Sequence, residues 1–114
     1  MWTGQRMYGL YAGRYRLRSS HDLFYIHIPL KIAEHVGSKR VRVTAVADAA
    51  GCDDKKYHGS MIVFTATLIY IGGTIRIRIP KKYSNLCRSI KDCGSIDVWL
   101  EPLPEMIWNR RGKG

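Results

Sequence analysis

Two segments of this sequence alternate apolar and polar residues and end at the same Ile-Pro corner, a repeat that constrains the fold strongly. The first is LFYIHIP, residues 23–29, and the second is TIRIRIP, residues 74–80. Aligning Pro29 with Pro80 superposes two apolar triplets, Phe24/Ile26/Ile28 on Ile75/Ile77/Ile79, and two outward pairs, Tyr25/His27 on Arg76/Arg78. Because alternate residues of a strand face opposite ways, each segment is predicted to bury one face and expose the other.

The similarity continues beyond each proline. Both copies have a short helical segment, a glycine (Gly37 or Gly94) and a second strand. A unit of this size has an apolar sheet face that it cannot bury alone, so the units over residues 23–44 and 74–101 are predicted to pack together. Because 114 residues suffice for one modest core, we predict one domain over residues 1–108 and a flexible basic tail over 109–114. The shared core is predicted to hold Ile26, Ile28, Ile77 and Ile79.

The remaining segments also indicate strands, so the fold class is mainly β with two short helices. GRYRLRSS, residues 13–20, is predicted to be one surface strand with three arginines on one side. The apolar run from Met61 to Ile71 indicates a buried strand or strand pair, and the two glycines that follow it indicate a tight turn. Residues 48–60 form a polar loop. The first helix is predicted over LKIAEHV, ending at Gly37, and the second over KKYSNLCRSI.

Positive charge is abundant and clustered. The chain has 19 Lys and Arg against 9 Asp and Glu, a net charge of +10, and residues 1–20 have four arginines and no acid. Such clusters attract polyanions, of which nucleic acid is the commonest inside a cell. No basic amphipathic helix supports membrane binding, and no secretory signal is visible at the N-terminus, so a cytoplasmic protein without a membrane partner is expected.

The Ile-Pro corner, the short helix, the glycine and the next strand together resemble the swapped-hairpin DNA-binding domains of the AbrB/SpoVT/MraZ group. The segments that support this resemblance are IRIRIPKKYSNLC with CGSIDVWLEP and, more faintly, FYIHIPLKIAEHVGSKRVRVTAV. The resemblance implies a pseudo-two-fold swapped-hairpin-like barrel with both copies in one chain. It also implies that basic residues of the strand and the following loop contact the phosphate backbone. The first copy departs from the pattern, because Leu30 follows its proline where Lys81 follows the other.

The candidate nucleic-acid contacts are the outward cations of the two corners and of the N-terminal strand. Arginine suits this role because its planar guanidinium donates two parallel hydrogen bonds to a phosphate. Tyr11 and Tyr15 could stack on unpaired bases, but packing in a sheet is the preferred explanation for tyrosines in a strand, so only the arginines of this segment are selected. The predicted site residues are Arg14, Arg16, Arg18, His27, Lys31, Arg76, Arg78, Lys81, Lys82 and Arg88.

Three cysteines in a chain without a secretory signal favour reduced thiols over a disulfide framework. In a hyperthermophile, Cys87 and Cys93 would be the disulfide pair to test. The cysteines and histidines lack the close spacing of a structural zinc site, so no metal and no cofactor are expected. No nucleophile elbow, phosphate-binding glycine loop or surplus of carboxylates is present, and an enzyme is therefore not expected.

The sequence thus favours binding of duplex DNA through a basic β face, in a transcriptional regulator or an architectural protein. Two alternatives stay open. One is an RNA- or single-strand-binding β-barrel, and the other is a non-enzymatic assembly subunit with an acidic protein partner. A homodimer is also left open.

Overall fold

The computed structural model describes residues 9–104, and over this range the fold is mainly β with two short helices, as the sequence predicts. The strands are β1 (Leu10–Tyr15), β2 (Arg18–Ser20), β3 (Leu23–Pro29), β4 (Arg40–Asp48), β5 (Met61–Thr67), β6 (Ile69–Ile71), β7 (Thr74–Ile79) and β8 (Ser95–Pro102). The helices are α1 (Leu30–Val36) and α2 (Ser84–Ile90), and a 3₁₀ turn over Lys81–Tyr83 precedes α2. The predicted basic tail, residues 109–114, and the ends of the predicted domain lie outside the described residues.

The strands form two four-stranded antiparallel sheets, which corrects the expectation of a barrel. The first sheet has the order β1-β8-β4-β5, and the second has the order β2-β3-β7-β6. The chain passes from the first sheet to the second at Leu17 and again at Leu68, and both side chains are buried, at 5% and 2% exposure. Because each passage interrupts the strand, neither sheet closes onto the other. The predicted strand over residues 13–20 is likewise divided at Arg16 and Leu17.

The two halves of the chain contribute equivalent elements. Strands β1, β2, β3 and β4 of the first half correspond to β5, β6, β7 and β8 of the second half. When corresponding strands are exchanged, each sheet keeps its strand order, read in the opposite direction. In the second sheet Ile26 lies opposite Ile77, and these residues are also equivalent when Pro29 is aligned with Pro80. In the first sheet Val43 lies opposite Leu100, which is its equivalent when Gly37 is aligned with Gly94. The pairing therefore has the pattern of a two-fold axis, and the equivalent unit is larger than the predicted strand-helix-strand segment.

One apolar core lies between the sheets. It contains the four isoleucines predicted for it, at 6% exposure or less: Ile26, Ile28, Ile77 and Ile79. This confirms the prediction that these faces of the two repeated strands point inward. Helix α1 buries Ala33 and Val36 in the same core, and it ends as predicted at Gly37, whose φ of 73° places it in the left-handed region that favours glycine.

A disulfide joins Cys52 to Cys93, and Cys87 is the free, buried cysteine. The expectation of three reduced thiols is therefore wrong for this structure, and so is the Cys87–Cys93 pair. The bond ties the loop between the two halves to the turn after α2. A close backbone approach accompanies it, because a Cβ at Gly94 would lie only 2.5 Å from the carbonyl oxygen of Asp48. Burial raises the pKa of the Cys87 thiol to about 11, so this thiol is unreactive at neutral pH.

Candidate nucleic-acid interface

The outer face of the second sheet brings together side chains from three of its strands. The pairing places Arg18 opposite Tyr25, Tyr25 opposite Arg78, and His27 opposite Arg76. Arg18 and Arg78 are exposed, whereas the other three side chains are half-buried. The outward direction of Arg76 and Arg78 agrees with the sequence prediction, because the isoleucines between them fill the core. We call this surface, formed by Arg18, Tyr25, His27, Arg76 and Arg78, the basic face.

Contacts between neighbouring side chains order the centre of the basic face. The guanidinium carbon of Arg76 lies 4.1 Å from the centroid of the Tyr25 ring, a cation–π contact. Arg76 Nε also donates a long hydrogen bond of 3.5 Å to His27 Nε2. Partial burial lowers the pKa of His27, and the nearby cations Arg18 and Arg76 lower it further. His27 is therefore a neutral acceptor at neutral pH, which fits the hydrogen bond that it accepts.

The four strands of the second sheet contain no aspartate and no glutamate. Within residues 9–104, no carboxylate lies within ion-pair distance of Arg18, Arg76 or Arg78. Cations on an ordinary solvated surface are interspersed with acids. The basic face therefore presents positive charge that the described part of the chain does not neutralise.

The outer face of the first sheet is different, because the strands of this sheet contain three acids beside their three arginines, and two of those arginines, Arg14 and Arg42, are paired with acids. Arg14 donates two hydrogen bonds to Asp97, at 3.2 and 3.0 Å, and its Nη1 lies 2.8 Å from Asp48 Oδ2. Arg42 Nη1 likewise lies 2.7 Å from Glu101 Oε1. The hydrogen bonds from Arg14 hold the pKa of Asp97 below its ordinary value, and Tyr11, which donates to the same carboxylate at 2.7 Å, contributes to this shift.

These ion pairs correct the predicted stripe of Arg14, Arg16 and Arg18. The stripe assumed one continuous strand, but Arg14 lies in the first sheet, Arg16 at the crossing and Arg18 in the second sheet. Arg16 and Arg18 are exposed, whereas the guanidinium of Arg14 is shared between two carboxylates. Of the three, only Arg18 therefore belongs to the basic face.

A concave, cationic region adjoins the basic face where β7 ends. There the β2–β3 turn faces the start and the exposed side of α2 across a cavity of about 340 Å³. A second cavity of about 290 Å³ has Arg78 and Lys81 in its wall, and so links this region to the basic face. We call the region the basic corner, and define it by six residues that line the larger cavity: Ser19, His21, Lys81, Ser84, Arg88 and Lys91.

The structure brings some of the other predicted residues to the basic corner and leaves others apart. Lys81 and Arg88 line the corner. Lys82 is exposed in the adjacent 3₁₀ turn, with its Nζ 5.3 Å from the centroid of the Tyr83 ring. Lys31 lies at the other Ile-Pro corner, because Pro29 is paired with Thr74 at the opposite end of the antiparallel β3–β7 pair. Lys31 is therefore separate from the cluster that contains Lys81.

Three residues of the basic corner are not among those predicted from the sequence, namely His21, Ser84 and Lys91. His21 has a φ of 57°, and among residues 9–104 it is the one non-glycine residue with a positive φ. Its equivalent in the second half is Gly72, whose φ is 60°. The usable signal was the repeat itself: aligning Pro29 with Pro80 places a histidine where the other copy has the glycine that this turn geometry favours.

Within residues 9–104, the histidines, cysteines and acids form no group of three or more that could hold a metal ion. In the same range no helix has the length and apolar character needed to cross a membrane.

No family model, curated protein or solved structure matches this chain. The resemblance to the AbrB/SpoVT/MraZ group stays a prediction.

Proposed function

We propose that this protein binds nucleic acid through the basic face and the basic corner, with duplex DNA as the favoured ligand. The observation that supports this proposal best is the absence of any acid from the four strands of the second sheet, whereas the strands of the first sheet have as many acids as arginines. Unpaired arginines are suited to phosphates, because the guanidinium stays charged and donates in a planar fork. Contacts of this kind position the ligand without reading its bases, so we propose a regulator or architectural protein with limited sequence selectivity.

Single-stranded DNA or RNA is the second candidate, and one observation favours it. Tyr25 and His27 are half-exposed rings on a sheet face, and such rings stack on unpaired bases in single-strand binders. The guanidinium of Arg76, however, lies over the Tyr25 ring. A base could stack on this ring only after Arg76 moves. Binding of phosphates needs no such rearrangement, and we therefore place duplex DNA first.

The proposal is tested by measuring the affinity of the chain for duplex DNA, single-stranded DNA and structured RNA of equal length, each at two salt concentrations. We expect duplex DNA to bind most tightly and the affinity to fall steeply with salt, since binding releases counterions. The second candidate predicts that a single strand binds best and that Tyr25→Ala weakens it more than it weakens the duplex. If an acidic polypeptide binds and none of the nucleic acids does, the protein is an assembly subunit with an acidic partner. A homodimer and a non-enzymatic role stay predictions.

A further inference from the structure

We propose that the basic corner binds a phosphate monoester on a nucleotide-sized group, either the phosphorylated end of a nucleic-acid strand or a free mononucleotide. Binding of a phosphorylated strand end rests on the proposed function, whereas binding of a free mononucleotide does not. The cavity, at about 340 Å³, is at the lower end of the size range of small-ligand sites. It is therefore large enough for a single nucleotide.

The charges of the corner match a monoester better than a diester. Lys81, Arg88 and Lys91 contribute three positive charges and Asp22 one negative charge, which leaves two positive charges before any contribution from His21. A phosphate monoester carries about 1.5 to 2 negative charges at neutral pH and has three terminal oxygens, whereas a diester within a strand carries one charge and two such oxygens. The corner thus offers one cation for each monoester oxygen.

The other polar groups supply additional donors and one acceptor. Ser19, Ser84 and Asp22 also line the cavity. A serine hydroxyl can donate to a phosphate oxygen, and a carboxylate can accept from a sugar hydroxyl. Lys91 is paired with Asp92 at 3.3 Å, but the Asp92 side chain is 91% exposed. An exposed pair of this kind is weak and can yield to a phosphate.

The backbone of His21 is the second observation that points to this corner. Its φ of 57° lies in the left-handed region, where a side chain is disfavoured and where the equivalent position has Gly72. Strained residues of this kind are concentrated at binding sites. His21 is one of the residues that line the cavity, and its Nδ1 lies 3.4 Å from the hydroxyl oxygen of Ser20, whereas a glycine would have no side chain there.

The other Ile-Pro corner provides an internal comparison. By the alignment of Pro29 with Pro80, it has Leu30 in place of Lys81 and Ala33 in place of Ser84, and α1 ends at Val36, before it reaches a counterpart of Arg88 or Lys91. Its turn has Gly72 and Gly73 in place of His21 and Asp22. The polar groups that would recognise a phosphate are therefore a feature of one corner and are not required by the fold.

The test compares one oligonucleotide in three forms, with a 5′-phosphate, with a 3′-phosphate and with neither, by fluorescence anisotropy at fixed salt. We expect a terminal phosphate to raise the affinity about tenfold, as one or two charge-assisted hydrogen bonds do. The double variant Arg88→Gln/Lys91→Gln should lose this preference. The matched control, Arg76→Gln/Arg78→Gln, should bind all three forms more weakly and keep the preference. Equal affinity for the three forms, or a preference that survives in the corner variant, would overturn the proposal.

Two further measurements keep this test separate from that of the proposed function. If the chain binds none of the oligonucleotides, binding of adenosine monophosphate is measured by phosphorus NMR. Binding of this mononucleotide would support the proposal for the basic corner, and the absence of binding would overturn it. The variant His21→Gly separates binding from folding. It should leave the melting temperature equal or higher, because glycine accepts the positive φ, while it weakens the preference for the terminal phosphate. A lower melting temperature with an unchanged preference would show that His21 serves the fold.

Discussion

The strands of each sheet contain three arginines, but three acids accompany those of the first sheet and none accompanies those of the second. On the first sheet, Arg14 and Arg42 each contact carboxylates of β8. On the second sheet, Arg18, Arg76 and Arg78 have no carboxylate partner within the described residues. Within the second sheet, the equivalents of Arg76 and Arg78 in the other half of the chain are Tyr25 and His27, so the fold does not require arginines at these positions. The difference between the two sheets is the reason for assigning the phosphate-binding surface to the second.

Reversing the charge of the basic face should have the largest effect. We expect Arg76→Glu/Arg78→Glu to weaken binding of duplex DNA about 100-fold at low salt, since each arginine donates charge-assisted hydrogen bonds worth about tenfold. Fluorescence anisotropy measures the affinity. The control Lys39→Glu/Arg40→Glu changes the net charge equally, at exposed positions outside the second sheet. Equal reductions of affinity in the two variants would mean that only the total charge matters.

Adding an acid to the outer face of the second sheet should give one of its arginines a carboxylate neighbour, as on the first sheet. Ile69 is exposed on the edge strand β6 and lies opposite Arg76, so Ile69→Glu places a carboxylate beside that arginine. We expect about tenfold weaker binding of duplex DNA, with the free energy of unfolding changed by about 0.5 kcal/mol or less. Thr65→Glu, on β5 opposite Arg42, is the matched control and should leave binding nearly unchanged. If both substitutions weaken binding alike, the two faces do not differ in function.

Breaking a pair on the first sheet should affect stability and leave DNA binding intact. Asp97→Asn removes one of the two carboxylates that Arg14 contacts, and ion pairs at the surface are worth about 1 kcal/mol or less. Because the pKa of Asp97 is lowered in the folded state, its contribution is present above about pH 4 and is lost as the pH falls through the folded-state pKa. Urea unfolding of the parent and the variant should therefore differ at pH 7 and converge at low pH. A constant difference across this range would contradict the assignment.

His27 should produce a smaller effect, in the mildly acidic range. Its folded-state pKa is lowered, so the unfolded chain takes up the proton first, and folding stability falls as the pH drops below about 6.5. The groups that face it are Arg18, Tyr25, Arg76 and Arg78. His27→Gln should remove this part of the pH dependence, measured by urea unfolding between pH 7 and pH 5. If the variant and the parent lose stability in parallel between pH 7 and pH 5, His27 is not the source of this pH dependence.

The parts of the fold that depend on local pattern were predictable from the sequence. The alternation in residues 23–29 and 74–80 predicted which isoleucines are buried, and Gly37 predicted the end of α1. The division into two sheets in place of the expected barrel was not predictable in the same way, because it depends on where the chain changes sheets. Leu17 and Leu68, where it does so, look like ordinary strand residues in the sequence.

The parts of the site that depend on distant contacts were not predictable. Arg14 and Asp97 are 83 positions apart, so the N-terminal arginines appeared to be free of acids. Cys52 and Cys93 are 41 positions apart, and they are brought close by the pairing of β4 with β8, which places Asp48 opposite Ser95. The outward direction of Arg76 and Arg78 depends only on the local alternation of the strand, and it was predicted correctly from the sequence.

The salt dependence of duplex binding tests the central claim most directly, because it counts the phosphates that the protein neutralises. The logarithm of the affinity is plotted against the logarithm of the salt concentration for the parent, for Arg76→Gln/Arg78→Gln and for the control Lys39→Gln/Arg40→Gln. We predict that neutralising the basic face lowers the magnitude of the slope by about two, roughly one for each arginine that no longer binds a phosphate, and that the control keeps the slope of the parent. Parallel lines for the parent and the basic-face variant would contradict the account, because Arg76 and Arg78 would then contact no phosphate.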